Sequence, residues 1–105
     1  MIYDRVLCAS NAYEKKFYLN PKFASLPSQV QDELKITCVM FTEEVGGILT
    51  MIFDDDGSLY LYPDHDESDV YYDEIGCGLL VKKIQREREE LFEAVENYYK
   101  SLFLE

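Results

Sequence analysis

Three short stretches of this sequence hold residue types that do chemistry. Asp54-Asp55-Asp56-Gly57 clusters the carboxylates that hard cations prefer. Asp64-His65-Asp66 sets an imidazole, the commonest acid–base group and transition-metal ligand, between two acids. Cys77 stands between Gly76 and Gly78, as an exposed nucleophile flanked by small residues would. Each then lacks a companion. A calcium loop of the EF-hand type needs glycine at position 6 and a bidentate acid at position 12; with Gly57 as position 6, positions 1 and 12 fall on Ile52 and Pro63, which carry no carboxylate. The aspartate triplet therefore reads as turn chemistry. His65 is the only imidazole in the chain, whereas a transition-metal centre usually takes several His or Cys ligands; a solvated loop histidine, its protonated form favoured by the neighbouring acids, is the simpler reading. A reactive thiol wants a base or positive surroundings, and Cys77 has Asp73 and Glu74 nearby, with His65 the one candidate base and no residue evident to orient it. Asp73–Glu74 and Glu89–Glu90 are adjacent pairs, and adjacent residues on a helix do not face one another. A glycine-rich phosphate loop, a Walker lysine and a Ser-His-Asp set are all missing from the sequence. No catalytic, cofactor or metal residue is assigned, and the expectation is a non-enzymatic protein.

Charge patterning is more informative. No lysine or arginine occurs between Lys35 and Lys82, and that stretch holds eleven carboxylates: Glu43, Glu44, Asp54, Asp55, Asp56, Asp64, Asp66, Glu67, Asp69, Asp73 and Glu74. The other ten acids are matched by ten bases, so the formal charge of -11 belongs to the segment 43–74. A lobe of that kind repels phosphates and attracts cations and basic protein surfaces. Nucleic-acid binding is disfavoured, because it needs a basic stripe and the bases here look few and scattered.

The elements that position these residues follow from periodicity. Residues 5–9 and 13–19 read as two strands joined around Ser10-Asn11-Ala12; the competing reading is a helix capped by Asn11, with Glu14 completing a capping box. Pro27 opens a helix, and Val30, Leu34, Cys38, Phe41 and Val45 repeat at its period. Ile36, Val39 and Met40 widen that stripe, so its second half should be covered on more than one face; Gly46-Gly47 ends it. Residues 48–53 and 59–62 are β-branched and aromatic strands around an Asp-Gly turn, the clearest hairpin in the chain. Alternation puts Leu49, Met51, Phe53, Leu59 and Leu61 on one face and Ile48, Thr50, Ile52, Tyr60 and Tyr62 on the other.

After an acidic loop over 63–68, one long helix is expected to run to about Phe103. Leu80, Ile84, Leu91, Val95, Tyr98 and Leu102 point inward, and Lys83–Glu87, Arg86–Glu90 and Glu96–Lys100 pair on the wet side. Whether that helix includes Gly76 and Gly78, each costing about 1 kcal/mol in a helix interior, stays open. The fold expected is α+β in the order ββαββα: an antiparallel sheet of about four strands, from two hairpins, packed by two helices.

At 105 residues the chain is expected to be a single domain over 1–105, and 48% apolar with 14% aromatic content lifts it well out of the disordered range. No apolar run approaches the roughly 18–20 residues that cross a bilayer, and Asp4 stands where a leader would be basic. Cys8, Cys38 and Cys77 are odd in number and widely spaced, which suits reduced thiols serving as small apolar side chains. A cytoplasmic protein without membrane attachment is expected.

The strings Asn11-Ala12-Tyr13-Glu14-Lys15-Lys16-Phe17-Tyr18, Val45-Gly46-Gly47-Ile48-Leu49-Thr50, Tyr72-Asp73-Glu74-Ile75-Gly76 and Glu90-Leu91-Phe92-Glu93-Ala94 give the chain a resemblance along nearly its whole length. It resembles an uncharacterised family of small acidic proteins from anaerobic, gut-type Firmicutes. The resemblance implies a stand-alone cytoplasmic protein and carries over no activity, cofactor or site residue.

Tyrosine is enriched at interface cores because it joins a large apolar body to a polar tip. Tyr60, Tyr62, Tyr71 and Tyr72 border the acidic lobe, and with Asp64, Asp66, Glu67 and Asp69 they form the expected interaction surface, docking a basic partner protein or a second copy of the chain as a homodimer. One alternative is a nucleic-acid mimic or immunity-type inhibitor filling a basic cleft. The other is a divalent-metal-dependent protein or enzyme using His65, Asp66, Asp54–Asp56 and Cys77.

Overall fold

Asn11 decides the first hairpin. In the computed structural model, which describes residues 5–104, its side-chain oxygen accepts the N–H groups of Tyr13 at 2.9 Å and Glu14 at 3.2 Å, and its amide donates to Glu14 Oε2 at 3.1 Å. These are the bonds that would cap a helix. Here they close a turn over 12–15, ending at Lys15 with φ 54°, between β1 (Val6–Asn11) and β2 (Lys16–Leu19). The two-strand reading is the one the chain adopts, with the second strand beginning at Lys16 and not at Tyr13, because residues 12–15 make the turn. Residues 1–4, where a leader was sought, lie outside the described residues.

Pro27 caps α1 (Ser28–Val45), and Gly46, at φ 77°, terminates it with its N–H on Thr42 O at 2.8 Å. β3 (Ile48–Phe53) and β4 (Leu59–Asp64) form the second hairpin. Asp54 Oδ1 accepts the N–H groups of Asp56 and Ser58, both at 2.9 Å, while Gly57 supplies φ 83°. The four strands make one antiparallel sheet ordered β2-β1-β3-β4. The order of elements is ββαββα with the last helical region divided, and the class is α+β.

Alternation sorts β3 and β4 as expected, with Leu49, Met51, Phe53, Leu59 and Leu61 buried and Tyr60 and Tyr62 exposed. A bulge between Val6 and Cys8 turns both Leu7 and Cys8 inward. On that inner face α1 delivers Leu34, Cys38 and Phe41, and the buried hydroxyls of Ser10 and Thr42 meet at 2.8 Å. All three cysteines are free and buried; the Cys8 and Cys38 sulfurs lie 3.6 Å apart within the core, as small apolar side chains would. The heaviest packing is aromatic. Phe53 stacks on Tyr99 at 4.1 Å between ring centroids, and Phe23 closes on both at 5.7 and 6.3 Å.

Three expectations are corrected. Ile36 and Met40 are not covered: α1 lies against the sheet and α2 but leaves these two residues exposed. The C-terminal helix is not continuous. It runs as α2 (Glu74–Glu87), breaks at Arg88 with φ -112° and ψ 24°, resumes as α3 (Glu89–Tyr99) and ends in a π-helical turn, Lys100–Leu104. The break re-registers the inner face, so Phe92, Val95 and Tyr99 are buried while Leu102 is exposed. Lastly, none of the three expected helix ion pairs forms among the described residues. Glu96 instead accepts the Leu59 N–H at 2.6 Å; a charge-assisted bond to a strand end is worth more than an exposed i,i+4 pair at about 0.3–0.5 kcal/mol.

The open question of the two glycines is resolved by the helix cap. Asp73 Oδ1 accepts the Gly76 N–H at 2.9 Å, and a Cβ on Gly76 would run into that same carboxylate. Both glycines belong to α2.

Candidate protein-docking surface

The loop between β4 and α2 is built from the inside by its own acids. Asp64 Oδ1 accepts the His65 N–H at 2.8 Å, and Asp66 Oδ1 accepts both the N–H and the hydroxyl of Ser68 at 2.9 and 2.8 Å. Those Ser68 donors, the backbone N–H foremost, hold the Asp66 carboxyl below its ordinary value. Tyr13 reaches across from the first hairpin; its hydroxyl donates to Asp69 Oδ2 at 2.7 Å and accepts the Asp66 N–H at 3.0 Å. Desolvation, with the Asp69 carboxylate behind it, pushes that phenol up, so it remains a donor.

His65 is clamped in the same way. Its Nδ1 faces the Asp66 carbonyl at 3.0 Å and its Nε2 faces Glu74 Oε1 at 3.2 Å, while its ring stacks on Tyr72 at 4.3 Å. Two acceptors want two protons: the Asp66 carbonyl is the largest influence and, with help from Glu74, raises its pKa above the ordinary value although desolvation, the second largest, opposes. Tyr72 donates to Cys77 Sγ at 2.9 Å, and burial, then that bond, pushes the phenol far up. Gly47 makes room for this ring: a Cβ there would stand 2.8 Å from Tyr72 Cε1.

His65, Tyr72, Glu74 and Cys77 thus line one shallow pocket of about 300 Å³. Their arrangement does not make a nucleophile–base couple. Tyr72 stands between the thiol and the imidazole, both imidazole nitrogens are taken, and the sulfur is buried. At the other hairpin end the Asp54 carboxylate serves its turn; desolvation is the largest single influence on it and acts upward, yet the Ser58, Asp56 and Tyr60 donors together hold its pKa low. Among the described residues no three His, Cys, Asp or Glu side chains converge as a metal-ligand set.

The acidic segment also proves to be divided: Glu43 and Glu44 lie in the last turn of α1, and the other nine acids form two clusters. Asp54, Asp55 and Asp56 sit at one end of β4 and the 64–74 acids at the other, roughly 17 Å away along the strand. Of the residues expected to form one interaction surface, Tyr60 and Tyr62 lie on the outer sheet face, Tyr62 in a row that continues through Thr50 and Ala9 to Tyr18 and Tyr60 opposite Ile52. Tyr72 is turned inward. Asp64, Asp66 and Asp69 are exposed to differing degrees but tied to the loop, Glu67 is exposed, and Tyr71 projects fully.

Sequence reasoning missed what surrounds Tyr71. Val70, Tyr71, Ile75 and Leu79 are 81%, 94%, 79% and 65% exposed. Ile75 and Leu79 are four apart in α2 and share a face, away from the Leu80 and Ile84 stripe that faces the core. That second apolar stripe was the available signal; a single long helix with one inward face concealed it.

A family model described as a family of unknown function (DUF6145) matches residues 4–105. No curated protein and no solved structure matches the chain, so the comparisons attach no activity to it.

Proposed function

We propose, from the premise that this chain belongs to the DUF6145 family of unknown function, that it is a non-enzymatic interaction module whose docking surface is the apolar strip Val70, Tyr71, Ile75 and Leu79 with its rim of acids. The observation that carries the reading is the exposure of these four residues beside Asp66, Glu67, Asp69, Asp73 and Glu74. An apolar centre with a tyrosine, enclosed by polar groups, is the anatomy of an interface. A rigid loop needs little ordering on contact, which lowers the entropic cost of binding.

The partner that fits is a protein segment with apolar anchors and flanking lysines or arginines. A second copy meeting this surface would set like charges against one another, and a chain of net -11 gains nothing from that. The nucleic-acid-mimic reading fits less well: a duplex carries one charge per about 1.7 Å of axis, whereas the central acids here are split among the end of α1, the β3–β4 turn and the far end of β4 with the loop after it.

The test is capture from lysate on immobilised wild-type protein and on the Tyr71→Ala/Leu79→Ser variant, at low and high salt, with light scattering of the free protein. A basic partner held by the wild type, weakened by salt and lost by the variant is the expected result. Capture that the variant retains in full, or a dimer that the variant dissolves, overturns the proposal.

A further inference from the structure

Beyond the docking surface, we propose that the groove between α1 and β2 binds an elongated amphipathic anion, an apolar body carrying a carboxylate or phosphate head. The groove encloses about 740 Å³, more than twice the roughly 300 Å³ beside His65 and well inside the range of small-molecule sites. Its walls come from three places. Lys35, Val39 and Glu43 succeed one another at four-residue intervals along one face of α1; Lys16 and Phe17 come from the edge strand β2; Lys15 comes from the end of the turn, where it holds a left-handed backbone.

The charge of this groove opposes that of the molecule. Three of the chain's ten basic residues line it, against Glu43 as the one acid. Among the described residues none of the three lysines forms an ion pair, although the chain carries twenty-one acids. Three unneutralised ammonium groups over a floor of Phe17 and Val39 are complementary to an anion with a carbon body. The repulsion expected from the net charge is local too. Screening at physiological salt acts over about 8 Å, so acids beyond that distance oppose a bound anion little.

Length and head group follow from the same residues. From Lys35 to Gly46 the α1 wall rises roughly 16 Å, which favours an extended ligand over a compact one. Lysine presents rotatable point-charge donors and not the planar fork of arginine, so the site accepts either anionic head.

Calorimetric titration with octanoate and with phenyl phosphate, each into the millimolar range, tests the site. Three proteins are compared: wild type, Lys16→Glu/Lys35→Glu, and Lys82→Glu/Lys83→Glu, which makes the same charge change on α2. At least one probe binds wild type and the α2 variant alike, and weakens about tenfold or more in the groove variant; the tighter probe identifies the head group. Lys16 and Lys35 are exposed, and Lys35→Ala gives a milder loss should the double variant fold poorly. Tyr71→Ala binds the probes as wild type does, separating this site from the docking surface. Failure of both probes to bind wild type, or equal weakening in the α2 variant, overturns the proposal.

Discussion

Phe53 and Tyr71 are aromatic residues on two regions that the chain treats in opposite ways. Phe53 lies in the stack with Phe23 and Tyr99 on the covered face of the sheet, 1% exposed, whereas Tyr71 stands almost wholly in water, as Val70, Ile75 and Leu79 largely do. The covered region is held by burial, at roughly 25 cal/mol for each Å² of apolar surface removed from water. The open region is held by polar bonds among its acids, His65, Ser68 and Tyr13, and its apolar side chains contribute none of that hold. Apolar surface kept on a rigid frame but left uncovered is surface available to another molecule.

Breaking the covered side is expected to have the largest effect. Phe53→Ala removes the centre of the stack and lowers unfolding free energy by about 3–5 kcal/mol, measured by denaturant titration; a loss below about 1 kcal/mol would show that the stack is not what holds the sheet to α3. Glu96→Ala orphans the Leu59 N–H and costs about 1–3 kcal/mol. Glu96→Gln, which can still accept that bond, recovers most of the loss; equal losses in both variants would mean that the bond does not form.

The open side is expected to behave in the contrary way. Tyr71→Ala and Ile75→Ser change stability by no more than about 0.5 kcal/mol, read by the same titration, and a loss of 2 kcal/mol or more would return these residues to a structural role. The smallest effect is one of pH. His65, the only histidine, gives a single imidazole titration by NMR, and its midpoint is expected above the ordinary 6.5. Because the folded pKa is raised, its stabilisation of the loop is fully present below pH 6.5 and is lost as pH climbs through the folded value. A midpoint at or below 6.5 would contradict the clamp between Asp66 and Glu74.

The legibility of each region follows from how local its causes are. Gly46, Gly57 and Pro27 punctuate the chain through their own backbone preferences, and period-two alternation sorted β3 and β4 correctly, because a strand's neighbours on one face are two residues apart. Asn11 showed the other limit: the same capping bonds serve a helix or a turn, and only the pairing of β2 with β1 selects between them. The break at Arg88 had no glycine or proline to announce it.

The amino-acid order alone determined the α+β class, the two hairpins, the placement of α1, and the absence of any complete catalytic motif, since each rests on backbone preference, periodicity or residue inventory within a short span. Tertiary structure decided the rest. It divided one acidic run among α1 and the two ends of β4, set Tyr72 between His65 and Cys77, left Val70, Tyr71, Ile75 and Leu79 uncovered, and gathered Lys15, Lys16 and Lys35 from separate elements around one groove. The reason is physical: charges and rings act through space over a few ångströms, and which residues come that close is set by how sheet and helices pack, not by their spacing along the chain.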